Sequence, residues 1–194
     1  MSSVAAETRT GAGRLWYLMI TAFTLAFDQF TKYWAATRLK TGDDIDIIPG
    51  FFRLSYTENP GIAFGIGSDS DWRWLLVAIS TVAIFIVIFY MMRTPASNGL
   101  LLWSLALLAA GIGGNLVDRV RTGRVIDFIE FYYGTYHFPV FNIADTAITI
   151  GAGLMAIDLF TSSGQEQATA QEPSESLVIE AESGPESGAD ASER

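Results

Sequence analysis

Two long uncharged stretches decide the fold: WLLVAISTVAIFIVIFYMM, residues 74–92, and TPASNGLLLWSLALLAAGIGGNLV, residues 94–117. They contain 19 and 24 residues, and a bilayer core of about 30 Å is crossed by about 20 helical residues. Both stretches therefore predict transmembrane helices, at about 73–92 and 97–118. Arg93 and Pro95 lie between them and predict a tight link, so the two spans form an antiparallel hairpin.

Two further apolar stretches flank this hairpin, at about 15–36 and 142–161. The first also fits a cleavable signal peptide, because its uncharged part is short and follows Arg14. Its helical pattern continues through Asp28 and Lys32, and we expect a retained span. The second is apolar except for three residues, Asn142, Asp145 and Asp158. The sequence thus predicts a membrane α-helical protein, a bundle of four transmembrane helices within residues 14–162.

The segments between the spans differ in pattern. In residues 37–71, Ile45 and Ile47, and then Phe52, Leu54 and Tyr56, recur at a period of two, which predicts two or three short strands in a small β-rich loop. Residues 119–141 combine charges with many aromatic side chains, which are typical of a membrane–water interface.

The charge of the chain is concentrated at its end. The formal charge is −9, and residues 163–194 hold eight acidic residues against Arg194 alone, which predicts a disordered acidic tail. The remainder lacks the clustered Lys and Arg of a nucleic-acid-binding protein, so we expect no nucleic-acid partner. The absence of cysteine excludes disulfides, a thiolate zinc site and a cysteine nucleophile.

Ionisable side chains at membrane depth are costly, and they are therefore candidates for function. Here ionisable and amide side chains lie at the same ends of three spans and in the loop beside them: Asp28 and Lys32; Asn115, Asp118 and Arg119; Asp127; Asn142 and Asp145. The only histidine, His137, lies in the aromatic loop, so we expect no Ser-His-Asp triad. A metal site lacks histidine and cysteine ligands, which leaves a carboxylate-only site as the open metal alternative, and we expect no metal and no other cofactor. Paired aspartates remain, of which one stays protonated to polarise a carbonyl while the other takes a proton from water.

Three alternatives remain open at this point. Asp28 with Lys32, and Asp118 with Arg119, are also typical of ion pairs that lock a bundle, as in a non-catalytic assembly factor. Asp28, Asp118 and Asp145 can be read as relay groups of a proton-coupled transporter or channel, although such groups are expected at staggered depths. Gly111–Gly114 resembles a phosphate-binding loop superficially, but close helix packing is the better interpretation of glycines within an apolar helix.

Four blocks of sequence resemble the lipoprotein signal peptidases (signal peptidase II). They occur in the family's order within about 14–160: DQFTK at 28–32, NPGIAFG at 59–65, GGNLVDR at 113–119 running on to GRVIDF at 123–128, and FPVFNIAD at 138–145. Ile62 stands where the family often has alanine, away from the carboxylates. The resemblance implies an aspartyl endopeptidase that cuts a prolipoprotein just before a cysteine bearing diacylglycerol.

The resemblance also implies roles for single residues. Asp127 and Asp145 are the catalytic pair, and Asp118 becomes a supporting residue. The remaining expected roles are these: Asn115, Arg119 and Asn142 orient the pair and hold substrate backbone, Asp28 and Lys32 brace the wall of the site, and Asn59, Gly61 and Phe64 line its entrance.

The expected location is the bacterial inner membrane. The resemblance implies a cytoplasmic N-terminal segment, residues 1–13, a cytoplasmic C-terminus and a site at the outer face. The positive residues indicate the reverse, because three arginines lie on the terminal side (Arg9, Arg14, Arg93) and six basic residues on the loop side (Arg38, Lys40, Arg53, Arg119, Arg121, Arg124).

Overall fold

The computed structural model describes residues 2–61 and 69–161. Within these ranges the chain forms four long helices: α1 (Ser2–Arg38), α2 (Asp69–Arg93), α3 (Gly99–Arg121) and α4 (Ile143–Thr161). Three segments of the described part of the chain are long and apolar enough to cross a membrane: Trp72–Arg93, Gly99–Arg121 and Ile143–Thr161. They lie where the last three spans are predicted. Helix α1 covers the predicted first span but is longer, with 37 residues.

Helix α3 is the central helix of the bundle. In its most apolar segment 56% of the residues are buried within the protein, compared with 6% for α2. Side chains of α2 such as Phe85 and Ile79 are largely exposed, as expected of a helix that faces lipid. The α2–α3 link is tight, as predicted, and Asn98 caps α3 by accepting a hydrogen bond from the Leu101 amide at 3.1 Å.

Glycines of α3 allow two other helices to approach it closely. A Cβ atom on Gly111 would collide with the carbonyl oxygen of Ala144 in α4. A Cβ atom on Gly114 would collide with the Asp28 carboxylate of α1 and lie 3.1 Å from the Ala144 Cβ. These contacts confirm the helix-packing interpretation of Gly111–Gly114.

The substitution Gly114→Ala should lower the free energy of unfolding by about 1–3 kcal/mol, because the added methyl group forces Asp28 or α4 to move. Thermal unfolding of the purified protein in detergent measures this effect. Gly153→Ala is the matched control, since nothing lies within 4 Å of a Cβ atom there. Equal melting temperatures for the two variants would contradict the packing role of Gly114.

A small antiparallel sheet lies at the end of the bundle where the polar residues cluster. Its strands follow the order β1 (Ile45–Ile48), β2 (Phe52–Asn59), β3 (Val125–Tyr133) and β4 (Tyr136–His137). The two strands within 37–71 confirm the prediction from alternation. Ala35 of α1 and Leu39, the residue that follows α1, pack with Phe128 of β3 in a buried cluster, which fixes the sheet on the helices.

Strand β3 was not predicted, and the interpretation of residues 119–141 as an interfacial aromatic loop is therefore incomplete. β3 pairs with β2 in a register that sets Phe52 opposite Phe131 and Thr57 opposite Asp127. A strand that pairs with a partner about 70 residues away has little local signal, because its stability comes from cross-strand contacts.

From Ala156 onward the chain forms a second unit, of which the structure describes the last turns of α4. There the Thr161 hydroxyl donates a hydrogen bond to the Ile157 carbonyl at 2.9 Å. The predicted acidic tail, 163–194, lies outside the described residues, as does Phe64.

Candidate active site

Asp127 lies on β3 and is 2% exposed. Its Oδ2 atom accepts a hydrogen bond from Asn59 Nδ2 at 3.0 Å, and its Oδ1 atom accepts one from Asn142 Nδ2 at 2.6 Å. Asn142 is brought there by its neighbour Phe141, whose backbone forms an antiparallel bridge with Ile129 of β3. The sheet therefore carries Asp127 to the first turn of α4.

Asp145 lies in that first turn. Asn142 caps α4, since its Oδ1 atom accepts a hydrogen bond from the Asp145 amide at 2.9 Å, and Asp145 Oδ2 accepts one in return from the Asn142 amide at 3.3 Å. This reciprocal pattern is a capping box. Asn142 thus bonds both predicted catalytic residues: its side chain donates to the Asp127 carboxylate, and its backbone amide donates to the Asp145 carboxylate.

Behind the pair lies a buried ionic cluster. The Lys32 ammonium lies 3.0 Å from Asp28 Oδ2 and 2.8 Å from Asp118 Oδ2, and it donates to Asn115 Oδ1 at 2.9 Å. Asp28 Oδ1 accepts a hydrogen bond from the Ala144 amide at 2.8 Å, at the start of α4. The cluster therefore joins the three helices α1, α3 and α4 beneath the two aspartates.

Gln29 belongs to this cluster, although sequence reasoning did not select it. Its Nε2 atom lies 3.2 Å from Asp28 Oδ2, 3.1 Å from the Gly114 carbonyl oxygen and 3.1 Å from Asp118 Oδ1. The available signal was a polar side chain adjacent to Asp28 within an apolar helix.

The predicted entrance residues lie on the other side of Asp127. Asn59 Oδ1 accepts a hydrogen bond from the Gly61 amide at 2.8 Å, so a single side chain joins the entrance to Asp127. Gly61 has a φ of +77°, and a Cβ atom there would meet Leu76 at 2.8 Å and Arg119 Nη2 at 3.4 Å. Gly61 therefore satisfies both a backbone and a space requirement beside the Arg119 guanidinium.

Arg119 completes the set of predicted residues around the pair. Its Nη1 atom donates a hydrogen bond to the Asn115 carbonyl at 3.3 Å. Its Nε atom is buried and has no hydrogen-bond partner among the described residues. Asp118, Asp127 and Asp145 all attract its charge. A buried donor without a partner near these carboxylates is compatible with the expected role of Arg119 in holding substrate backbone.

Burial raises the pKa of Asp127 to about 6. The Asn59 amide opposes this shift, the charge of Asp145 reinforces it, and the Asn142 amide and Lys32 oppose it. Asp127 is therefore a carboxyl group that carries a proton at mildly acidic pH, which suits a general acid.

A second polar cluster, also missed from the sequence, holds the strands together. Arg53 of β2 donates to Glu130 of β3 through Nε at 2.7 Å and Nη2 at 3.1 Å, and His137 Nδ1 of β4 lies 2.7 Å from Glu130 Oε1. Hydrogen bonding to Arg53, more than any other contact, lowers the pKa of Glu130 to about 2. His137 is thus placed in the sheet, away from Asp127 in the strand register.

Comparison with known proteins decides the family. A model described as "Signal peptidase (SPase) II" matches residues 20–161, which include every residue predicted for the site. The chain belongs to the signal peptidase II family. This confirms the resemblance seen in the four sequence blocks, and it makes the protein a membrane-embedded peptidase by family.

Curated relatives of this signal peptidase II family member are named lipoprotein signal peptidase. The relative from Symbiobacterium thermophilum is 39% identical over 142 residues, which cover 73% of this chain and 92% of the relative. The relative from Clostridium tetani is 41% identical over 150 residues, covering 77% and 95%.

Two solved structures are also similar, and each is described as a bacterial membrane enzyme determined by the in meso method. One, at 2.3 Å resolution, superposes with a TM-score of 0.68 and 35% identity over 77% of this chain and 90% of its own. The other, at 1.9 Å, gives a TM-score of 0.67 and 37% identity, covering 74% and 91%.

Proposed function

We propose that the protein is an aspartyl endopeptidase that removes the signal peptide from prolipoproteins, cutting just before a cysteine that carries diacylglycerol. Membership of the signal peptidase II family supports signal-peptide removal from prolipoproteins. The observation that carries the catalytic proposal is the bonding of both carboxylates to one residue, Asn142, whose side chain donates to Asp127 and whose backbone amide donates to Asp145. This residue lies next to an entrance lined by Asn59 and Gly61.

The two aspartates divide the chemistry between them. Asp145 accepts hydrogen bonds from Asn115 Nδ2 and from the Asn142 amide, an arrangement that suits a carboxylate acting as general base. It takes a proton from the attacking water, while protonated Asp127 donates to the scissile carbonyl oxygen. The tetrahedral intermediate then collapses, the amine of the cysteine leaves with the proton held by Asp145, and Asp127 recovers its own.

The rate should fall with rising pH. Since Asp127 acts in its protonated form and its pKa is raised to about 6, kcat/KM should decline above about pH 6, approaching a tenfold loss per pH unit. A pH profile of cleavage with a lipidated precursor between pH 5 and 8.5 measures this. A flat profile over that range would contradict the assignment of Asp127 as the acid.

The substrate lies in the bilayer, and two features of the protein suit it. The outward faces of the helices are apolar, and an aromatic groove of about 510 Å³ lies on the β3–β4 side of the sheet. Seven residues line this groove: Phe51, Phe131, Tyr132, Tyr133, Tyr136, Phe138 and Phe141. We assign the groove to contact with membrane lipid and with the acyl chains of the substrate.

Helix α1 is the fourth span in this proposal. Its Phe23 and Phe27 are exposed, whereas Asp28 and Lys32 are 0% and 1% exposed and turn toward α3 and α4. The charges of Asp28 and Lys32 are therefore shielded from lipid, although these two residues lower the mean hydropathy of α1. Removal of α1 as a signal peptide would strip the bonds to Ala144 and Asn115, which supports a retained helix.

The proposed orientation places both termini in the cytoplasm and the site at the outer face of the bacterial inner membrane. Among the described residues, three site-side cations are held by carboxylates: Lys32 by Asp28 and Asp118, Lys40 by Glu58, and Arg53 by Glu130 and Asp44. A reporter enzyme fused after residue 194 should be active in the cytoplasm, and periplasmic activity would refute the orientation.

The direct test of function is incubation of the purified protein with a diacylglyceryl-modified precursor and with its unlipidated twin. Only the lipidated precursor should be cut, and mass spectrometry should place the lipidated cysteine at the new N-terminus. A peptide-type inhibitor of aspartyl proteases should block the reaction. Cleavage of both precursors at equal rates would show that the protein does not require the diacylglyceryl group. Cleavage of neither would favour the transporter alternative.

A further inference from the structure

The carboxamide of Asn115 is held in one orientation by its neighbours. Its Oδ1 atom accepts hydrogen bonds from Lys32 Nζ at 2.9 Å and from Asn142 Nδ2 at 3.3 Å. Its Nδ2 atom donates to Asp145 Oδ1 at 2.7 Å. A carboxamide turned by 180° would set its NH₂ group against the Lys32 ammonium and its oxygen against the Asp145 carboxylate, so both contacts would become repulsive.

Lys32 is itself held rigidly. It is 1% exposed, and its ammonium has three polar contacts, to Asp28 Oδ2, Asp118 Oδ2 and Asn115 Oδ1, at 3.0, 2.8 and 2.9 Å. An ammonium has three N–H donors, so these contacts use all of them. An ion pair that only locked the bundle would need the two carboxylates alone, and the third donor is directed at the carboxamide that donates to Asp145 Oδ1.

We propose that Lys32 is a positioning residue for Asp145 and that it acts through Asn115. The buried cation selects the orientation of the Asn115 carboxamide, and the carboxamide aims a carboxylate oxygen of Asp145. This inference rests on the proposed function, because it assumes that Asp145 is a catalytic base. It adds a role in the reaction to a residue so far expected only to brace the wall.

The consequence is a loss of rate without an equal loss of substrate binding. Without Lys32, the Asn115 carboxamide keeps only its contacts to Asn142 at 3.3 Å and to Asp145 at 2.7 Å. We expect it then to populate both orientations, so that Asp145 loses its fixed direction toward the attacking water. Misplacement of a reacting group by about 1 Å can cost about a hundredfold in rate. We therefore expect Lys32→Met to lower kcat about a hundredfold and to change KM little, whereas Lys40→Met, at an exposed lysine paired with Glu58, leaves kcat unchanged.

A double-mutant cycle tests whether Lys32 acts through Asn115. Lys32→Met should lower kcat about a hundredfold in the native background but no more than about threefold in an Asn115→Ala background, where no carboxamide remains to orient. The proposal would be overturned if Lys32→Met lowered kcat by the same factor in the two backgrounds. It would also be overturned if the folded fraction of the Lys32→Met variant kept the native kcat.

Loss of Lys32 leaves two carboxylates, Asp28 and Asp118, facing each other, and the single variant can fail to fold for that reason. The cycle is then run with Lys32→Met/Asp118→Asn against Asp118→Asn, because this pair removes one positive and one negative charge together. The same non-additivity with Asn115→Ala is expected, and additive effects overturn the proposal.

A second readout does not depend on cleavage. The side-chain ¹H–¹⁵N resonances of Asn115, identified by their loss in Asn115→Ala, should shift or double in the Lys32→Met/Asp118→Asn variant relative to Asp118→Asn and stay unchanged in Lys40→Met. Unchanged Asn115 resonances in the first variant would overturn the proposal. If the native protein cut no lipidated precursor while these resonances shifted as expected, the proposed function would fail and the role of Lys32 in orienting Asn115 would stand.

Discussion

Asp127→Asn and Asp145→Asn should each yield a folded, membrane-inserted protein that no longer cleaves a lipidated precursor. Asparagine keeps the shape of aspartate, but it can neither take a proton from water nor supply one to the carbonyl. General acid–base catalysis contributes about 10²–10⁴ to a rate, and we expect losses at or above the upper end, because the two groups act as a unit. Single-turnover cleavage of a diacylglyceryl precursor measures the loss.

Stability provides the accompanying control. The folded pKa of Asp127 is raised above its ordinary value of 3.8 to about 6, so its ionised form opposes folding above pH 6, and this penalty disappears as the pH falls below about 4. Asp127→Asn should therefore keep or raise the free energy of unfolding at pH 7.5, and with it the melting temperature. The gain is at most about 3 kcal/mol, and it is reduced by the cost of turning an NH₂ group toward Asn59 or Asn142.

Asp43→Asn, at an exposed carboxylate, should change neither rate nor stability. Cleavage retained in either purified dyad variant would reject the catalytic pair. A dyad variant that is dead and also largely unfolded at pH 5 would instead indicate a structural carboxylate.

Asn142 is the side chain whose removal should have the second largest effect. Asn142→Ala removes the bond to Asp127 at 2.6 Å and the cap of the Asp145 amide at 2.9 Å. We expect a rate loss of about a hundredfold from misplacement of the two carboxylates, and a stability loss of about 1 kcal/mol from the missing cap. Steady-state cleavage and thermal unfolding measure the two losses separately.

Asn142→Ser separates the two roles of this residue. Serine caps helices about as well as asparagine, but its hydroxyl is too short to replace the bond to Asp127. The serine variant should therefore recover the stability while remaining slow. A serine variant that recovers both rate and stability would show that the bond to Asp127 contributes nothing to catalysis.

Helix positions were accessible from the sequence because they depend on local properties. An uncharged run such as 74–92 is committed to lipid by its length and composition, whatever it packs against. The pairing of Asp28 with Lys32 is also a local property, because a spacing of four places both residues on one helix face. Their 3.0 Å contact confirms this. The short strands β1 and β2 were visible for a similar reason, since alternation at a period of two marks a half-buried strand.

Strand β3 and its partners were not accessible in this way. The pairing of Arg53 with Glu130 joins residues far apart in the chain, and neither residue carries a local signal of it. Gln29 lay within a recognised block, but its contacts to Gly114 and Asp118 depend on how closely α1 approaches α3. The catalytic roles of Asp127 and Asp145 came from motif position and stay predictions until the variants are measured.

The sequence by itself determined the apolar helices, the existence of a small sheet and the family, because hydropathy, alternation and motif spacing are properties of contiguous residues. Only the tertiary structure decided which polar groups meet. It set Asn142 between two aspartates and Lys32 behind Asn115, because a hydrogen bond depends on distances of about 3 Å that arise only when helices and strands from distant parts of the chain pack together.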